Sequence, residues 1–308
     1  MTMTGILRPG HAQIRVLDIE ESVKWYTEVL GLVPMGRDTQ GRAYFKTRQE
    51  RDHNSVILRQ ADRAGLDFFG FKVRDTATLD DLEKKLQAHG VTTQRMPAGD
   101  LLETGERVRF RIPTGHTLEL YTEKKAVGNA TGCFNPDMDV IDQPGIIPIR
   151  MDHCLMYGTD LDGSRDLLTQ VLGFNLVERA KLEDRETDLA VWLTCSTKAH
   201  DIAFVRHGED DKLHHLSFQL GSWEQVLRAA DIMSKNRVSI DMGPTRHGVT
   251  NGTTIYFFDP SGNRLETFAG GYDHYPDMEP ITWAWEEIGA GIFYHNRKLN
   301  DAFLSVVT

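Results

Sequence analysis

The stretch from Thr245 to Phe268, TRHGVTNGTTIYFFDPSGNRLETF, holds a histidine, a tyrosine and a glutamate around one Asp-Pro-Ser-Gly turn. Side chains alternate faces along a strand and a turn reverses its direction, so a strand-turn-strand unit could aim His247, Tyr256 and Glu266 at one volume. A metal or a reacting substrate could sit there. Two more histidines, His153 and His215, lie in strand-like runs elsewhere. With Glu266 they supply two neutral imidazoles and one carboxylate from three strands. That is the facial triad that suits non-haem Fe(II), with Mn(II) also compatible, and it leaves coordination positions open for substrate and oxygen. In LHHLSFQL, alternation places His214, Leu216, Phe218 and Leu220 on one apolar face and His215, Ser217 and Gln219 on the other. His215 is therefore the expected ligand, and His214 could support it.

The elements that must position these residues show in an internal repeat. GHAQIRVLDIEESVKWYTEVLGL runs from Gly10 and DHCLMYGTDLDGSRDLLTQVLGF from Asp152, each reading as a strand, an acidic turn, an amphipathic helix closed by Leu-Gly, and another strand. His11 maps to His153 and Gly31 to Gly173 at an offset of 142, while Pro113 maps to Pro260 and Glu119 to Glu266 at 147. A loop insertion accounts for the difference. Within each half, strands at Asp67 to Val73 and His214 to Leu220 lead into a second helix. In the helix of the second half, Ser222 suits the N-cap and Val226, Leu227, Ala230 and Met233 form one stripe. The expected fold is α+β, with two domains of two βαβββ modules each. Residues 1–124 form the first domain, 125–147 the linker, 148–270 the second domain and 271–308 a C-terminal extension. Taken alone, His153 would read as a core histidine and Glu266 as a solvated charge; their matching places in the repeat favour the metal. The first half keeps His11 and Glu119 but has Phe68 in the place of His215, so it lacks a full metal site and its pair reads as ordinary polar residues.

The chain of 308 residues carries a net charge of −10, and it has no clustered run of Lys and Arg that a nucleic-acid or anionic membrane surface would need. No apolar stretch approaches the length of a membrane span, and the N-terminal residues lack a leader pattern, so a cytoplasmic protein is expected. Cys133, Cys154 and Cys195 are too widely spaced for a disulfide framework or a zinc-thiolate site and read as free thiols, the latter two in strands.

Several segments together, RPGHAQIRVLD, MDHCLMYG, STKAHDIAF, LHHLSF, GPTRHG and IYFFDPSGNR, resemble the extradiol ring-cleavage dioxygenases of the vicinal-oxygen-chelate superfamily, and their catechol 2,3-dioxygenase family in particular. The likeness runs from about Arg8 to the C-terminal FLSVVT. It implies Fe(II) held by His153, His215 and Glu266, and cleavage of catechol or simple substituted catechols by O2 beside the diol, giving products of the 2-hydroxymuconic semialdehyde type. By their own context His200 reads as a polar loop residue, Tyr256 as strand core and His247 as a turn residue. The resemblance instead makes His200 the acid-base catalyst near oxygen, and His247 and Tyr256 the partners of the substrate hydroxyls. This is sensible for a diol that must lose protons. It further implies a slot walled by Trp192, Val249, Ile292 and Phe303, covered by the C-terminal segment AGIFYHNRKLNDAF, and a homotetramer. Other readings of the same fold are a dioxygenase for a bicyclic diol such as 2,3-dihydroxybiphenyl, a glyoxalase-like isomerase, and a protein that binds an aromatic ligand.

Overall fold

The structure, a computed structural model, describes residues 5–128, 134–138, 140 and 143–308. Four βαβββ modules follow one another. The first is β1 (Ile6–Val16), α1 (Ile19–Glu28), β2 (Val33–Arg37), β3 (Ala43–Lys46) and β4 (Val56–Gln60). The second is β5 (Gly65–Val73), α2 (Thr76–Ala88), β6 (Thr93–Met96), β7 (Arg107–Arg111) and β8 (Thr117–Tyr121). The third is β9 (Arg150–Gly158), α3 (Leu161–Asp166) extended by a wider helical turn over 167–171, β10 (Asn175–Lys181), β11 (Asp188–Thr194) and β12 (Ile202–Arg206). The fourth is β13 (Lys212–Gln219), α4 (Trp223–Lys235), β14 (Ile240–Arg246), β15 (Gly252–Phe258) and β16 (Arg264–Gly270). After it come β17 (Ile281–Trp283), α5 (Ile288–Ile292) and α6 (Asp301–Ser305). No helix among the described residues is long and apolar enough to cross a membrane.

Each module helix starts where a short polar side chain can accept a free backbone N–H: Asp18, Asp75, Asp160 and Ser222 cap α1, α2, α3 and α4. Gly31 and Gly173 follow the first and third module helices at φ +78° and +72°, a left-handed conformation that glycine adopts without strain. In α4 the buried stripe is Val226, Ala229 and Met233 rather than the expected set. Leu227 is 44% exposed and Ala230 only partly buried, because the face turned to the sheet is set by the strands beneath it.

The first and last strands of every module run parallel, and the two first strands of each half pair antiparallel. The strand orders are therefore β2-β3-β4-β1-β5-β8-β7-β6 and β14-β15-β16-β13-β9-β12-β11-β10-β17. Alternation divides the second sheet. Cys154 and Met156 of β9, Val191 and Leu193 of β11, and Ile255 and Phe257 of β15 pack into the main core. Their neighbours His153, Leu155, Trp192 and Tyr256 line a cavity on the other face. The Asp-Pro-Ser-Gly turn also ties the halves together. Tyr26 donates to Asp259 at 3.0 Å, Ser261 accepts from Leu17 N–H, and Asn263 bonds to Gly65 N–H and the Arg15 carbonyl. Cys154 and Cys195 are buried free thiols, Cys195 lying one residue past β11, and Cys133 lies outside the described residues.

In the first half, His11 and Glu119 are fully buried and joined at 3.1 Å. They are more than ordinary polar residues. Arg107 and Arg109 reach the Glu119 carboxylate, and the Lys124 ammonium reaches His11 Nδ1, so cations of the chain itself hold the buried pair.

Candidate active site

Strands β16, β13 and β9 are neighbours, and their register puts Glu266 opposite Ser217 and Ser217 opposite His153. His153 Nε2 stands 3.0 Å from Glu266 Oε2, His215 Nε2 stands 3.5 Å from the same oxygen, and the two Nε2 atoms are 3.4 Å apart. All three side chains are buried. Ligands about 2.1 Å from a first-row divalent ion stand about 3.0 Å apart at right angles and about 3.4 Å apart at the tetrahedral angle. The observed separations match one triangular face around such an ion.

Hydrogen bonds behind the rings fix which nitrogen faces inward. His153 donates Nδ1–H to Asp152 Oδ2 at 3.0 Å, which leaves Nε2 a lone pair. His214 donates Nε2–H to the Phe303 carbonyl at 2.9 Å, so its Nδ1 accepts from His215 Nδ1–H at 2.7 Å, and His215 Nε2 is free in turn. Glu266 also accepts from Ser217 and Thr254. Three acceptors thus face one another and demand a positive charge between them. Burial opposes charge on His153, yet Asp152 and Glu266 outweigh it and raise that imidazole, the same demand expressed through a proton. A metal ion meets it with three donors at once, so the residues present fit one.

The expected division of LHHLSFQL by faces fails at one point. The pairing slips between Leu213 and His215, a β-bulge, so both His214 and His215 turn toward the cavity while Leu213 joins Leu216 in the core. His214 therefore does not lie on the apolar face with Leu216 and Phe218.

The other named residues line one cavity of about 340 Å³ together with the triad: Trp192, His200, His247, Val249, Tyr256, Ile292 and Phe303. His200 is buried beside His153, with ring centroids 3.9 Å apart. Burial, with His153 adding to it, holds this imidazole well below its usual value, so it is neutral. Its loop is held by Asp201, which accepts from Thr194, Cys195 and Ser196, and by Lys198, which bridges Asp201 to Asp152. His247 donates Nδ1–H to the Ile292 carbonyl and accepts the Tyr256 hydroxyl at Nε2 at 2.7 Å. Asp152, Lys198 and Asp201 were not singled out from the sequence, although each stands within two residues of a predicted histidine.

Paired βαβββ modules place the chain in the glyoxalase and dioxygenase superfamily, and here the second pair carries a buried His-His-Glu face. Residues 150–267 match the model of the Glyoxalase/Bleomycin resistance protein/Dioxygenase superfamily, and residues 66–125 match that of the catechol 2,3-dioxygenase-like N-terminal domain. The chain is 49% identical over 305 residues to a metapyrocatechase of Pseudomonas sp. (strain CF600), covering 99% of each. It superposes on the crystal structure of the 2,3-dioxygenase LapB from Pseudomonas sp. KL28 with a TM-score of 0.90 at 59% identity, covering 92% of this chain and 99% of that one. A manganese-dependent 2,3-dihydroxybiphenyl 1,2-dioxygenase of Geobacillus genomosp. 3 is 28% identical, over 96% of this chain and 95% of its own. The chain belongs to the metapyrocatechase, or catechol 2,3-dioxygenase, family of extradiol dioxygenases.

Proposed function

We propose that the protein cleaves catechol and simply substituted catechols between a hydroxylated carbon and its non-hydroxylated neighbour, using O2 at an Fe(II) held by His153, His215 and Glu266. The observation that carries this is the convergence of three buried acceptor atoms beneath an apolar cavity that also presents His200, His247 and Tyr256. Fe(II), when bound, supplies a redox-active Lewis-acid centre that draws the diol and dioxygen together.

The chain's own part is positioning and proton management. Trp192, Val249, Ile292 and Phe303 wall the ring and keep water away. With Nδ1–H committed to the Ile292 carbonyl, His247 offers Nε2 as the acceptor for a diol proton, and the Tyr256 hydroxyl can donate to the resulting oxygen. Neutral His200, on the His153 side, takes a proton there and returns it as ring opening proceeds. In this reading residues 148–270 are the catalytic domain, 271–308 its cover and 1–124 a domain without a full metal site. The enzyme acts as a cytoplasmic homotetramer, a state that size-exclusion chromatography with light scattering checks.

The test is product identity. Iron-loaded protein given catechol in air should yield a yellow ring-opened 2-hydroxymuconic semialdehyde that contains both atoms of O2. Recovery of catechol, or of a muconate cleaved between the hydroxyls, contradicts the reading. Turnover of 2,3-dihydroxybiphenyl in preference to catechol would shift it to bicyclic diols.

A further inference from the structure

Glu178 sits on β10 directly across from Trp192 of β11 and is 1% exposed. Its carboxylate accepts three hydrogen bonds, all from neutral donors. Oε1 receives the Thr250 backbone N–H at 2.5 Å and the Tyr272 hydroxyl at 2.7 Å, and Oε2 receives the Trp283 indole N–H at 2.6 Å. A buried charge of this kind is tolerated only where such donors satisfy it. The donors come from three segments: the turn between β14 and β15, the start of the C-terminal extension, and β17.

The turn needs a clamp. Thr250 and Asn251 both hold φ at 54°, a left-handed conformation that costs an L-residue about 1 kcal/mol each. Val249 and Thr250 nevertheless line the cavity, and His247 closes the turn by donating its backbone N–H to Gly252. Trp283 backs the same wall. A Cβ on Gly248 would come within 2.9 Å of its ring, so that glycine is needed for the close approach, and one on Gly291 would come within a tight 3.2 Å. Gly248 N–H also bonds to the Gly291 carbonyl at 2.8 Å, beside the Ile292 carbonyl that fixes the His247 ring.

We propose that Glu178 is a positioning residue whose carboxylate locks the Val249–Asn251 turn and the C-terminal cover together, so that His247, Val249 and Ile292 meet the bound diol in register. The statement about the diol rests on the function proposed above; the lock itself does not. Glutamine keeps the shape but sets an NH2 group against at least one of the three donors.

The experiment compares full-length, iron-loaded wild type with Glu178→Gln, and with Tyr272→Phe, which removes one donor and leaves the other two. Loss of a hydrogen bond to a buried charge predicts a rise of about tenfold in KM for catechol in Glu178→Gln, with a smaller fall in kcat and unchanged iron content. Hydrogen–deuterium exchange should quicken about tenfold or more in 247–253 and 283–293 but not in β9 or β13. Tyr272→Phe should give the same pattern at smaller amplitude, which decides the matter if the glutamine variant does not fold. Unaltered exchange in those two segments, or a uniform rise across the chain, overturns the proposal. Should wild type fail to turn over catechol, the function falls, while the exchange pattern still decides for or against the lock.

Discussion

Replacing His214 by leucine should cost the protein its grip on metal while sparing most of its fold. His214 is 1% exposed and lines the cavity, and it acts on the metal site through His215, accepting that ring's Nδ1–H at 2.7 Å and donating to the Phe303 carbonyl at 2.9 Å. Leucine retains much of the packing against Tyr157 and Phe303 but neither polar contact. His215 Nδ1–H is then buried without a partner, at a cost of about 1–3 kcal/mol, and the ring can relieve it by moving its proton to Nε2, which closes that nitrogen to metal. Loss of such a supporting bond lowers metal affinity about 10–100-fold, or about 1.4–2.8 kcal/mol, the same range. Anaerobic Fe(II) titration against a competing chelator measures it. Thermal unfolding of the metal-free proteins controls for stability, and excess Fe(II) should restore part of the lost activity. A dissociation constant within threefold of wild type in a folded variant would refute the tautomer relay.

Three further outcomes follow from other parts of the molecule. Burial, with Lys124 adding to it, pushes His11 down to about 3, below its unfolded value of 6.5. As pH falls from 6.5 toward 3 the unfolded chain takes a proton that the folded chain refuses, at about 1.4 kcal/mol per pH unit. Urea unfolding of metal-free protein should thus lose stability on acidification more steeply than in His11→Asn, and equal slopes would contradict this. Tyr26→Phe removes a buried bond to a carboxylate and should destabilise the protein by about 1.5–3 kcal/mol without changing iron affinity; a neutral effect on the denaturation midpoint would disprove that tie between the halves. Around the cavity Leu182, Leu189, Val205 and Leu299 are apolar, and Arg206 is committed to Asp162 and the carbonyls of Thr159 and Asp188. A methyl substituent on catechol should therefore be accepted. A carboxymethyl one should lower kcat/KM by more than about 100-fold, the effect of about 3 kcal/mol for an unpaired buried charge, and comparable turnover would contradict a cavity wall that, among the described residues, offers no uncommitted cation.

Much of the architecture was legible because it repeats. The offsets that carry His11 onto His153 and Glu119 onto Glu266 reveal two halves, the strand-helix pattern repeated within each half gives four modules, and Phe68 marks the half that lacks the third ligand. The structure brings together His153, His215 and Glu266, and with them the residues named through family resemblance. What stayed hidden depends on register and long-range contact. Strict alternation assigns His214 to the core side, and only the bulge after Leu213 turns it to the cavity. Nothing near Glu178 in the sequence distinguishes it from a solvated strand glutamate, since its partners lie 72, 94 and 105 residues away. His11 and Glu119 look like remnants until Arg107, Arg109 and Lys124 are seen around them. The expected α4 stripe missed Ala229, because helical spacing gives the period of a buried face more reliably than its phase.

The most direct measurement loads wild type and Glu266→Ala with Fe(II) without air, quantifies bound iron, and then adds catechol and air while the visible spectrum is recorded. Wild type should bind about one iron per chain and form the yellow ring-opened product, and the variant should do neither. Equal iron retention by the variant, or iron-loaded wild type that leaves catechol intact, would contradict an extradiol centre built on His153, His215 and Glu266.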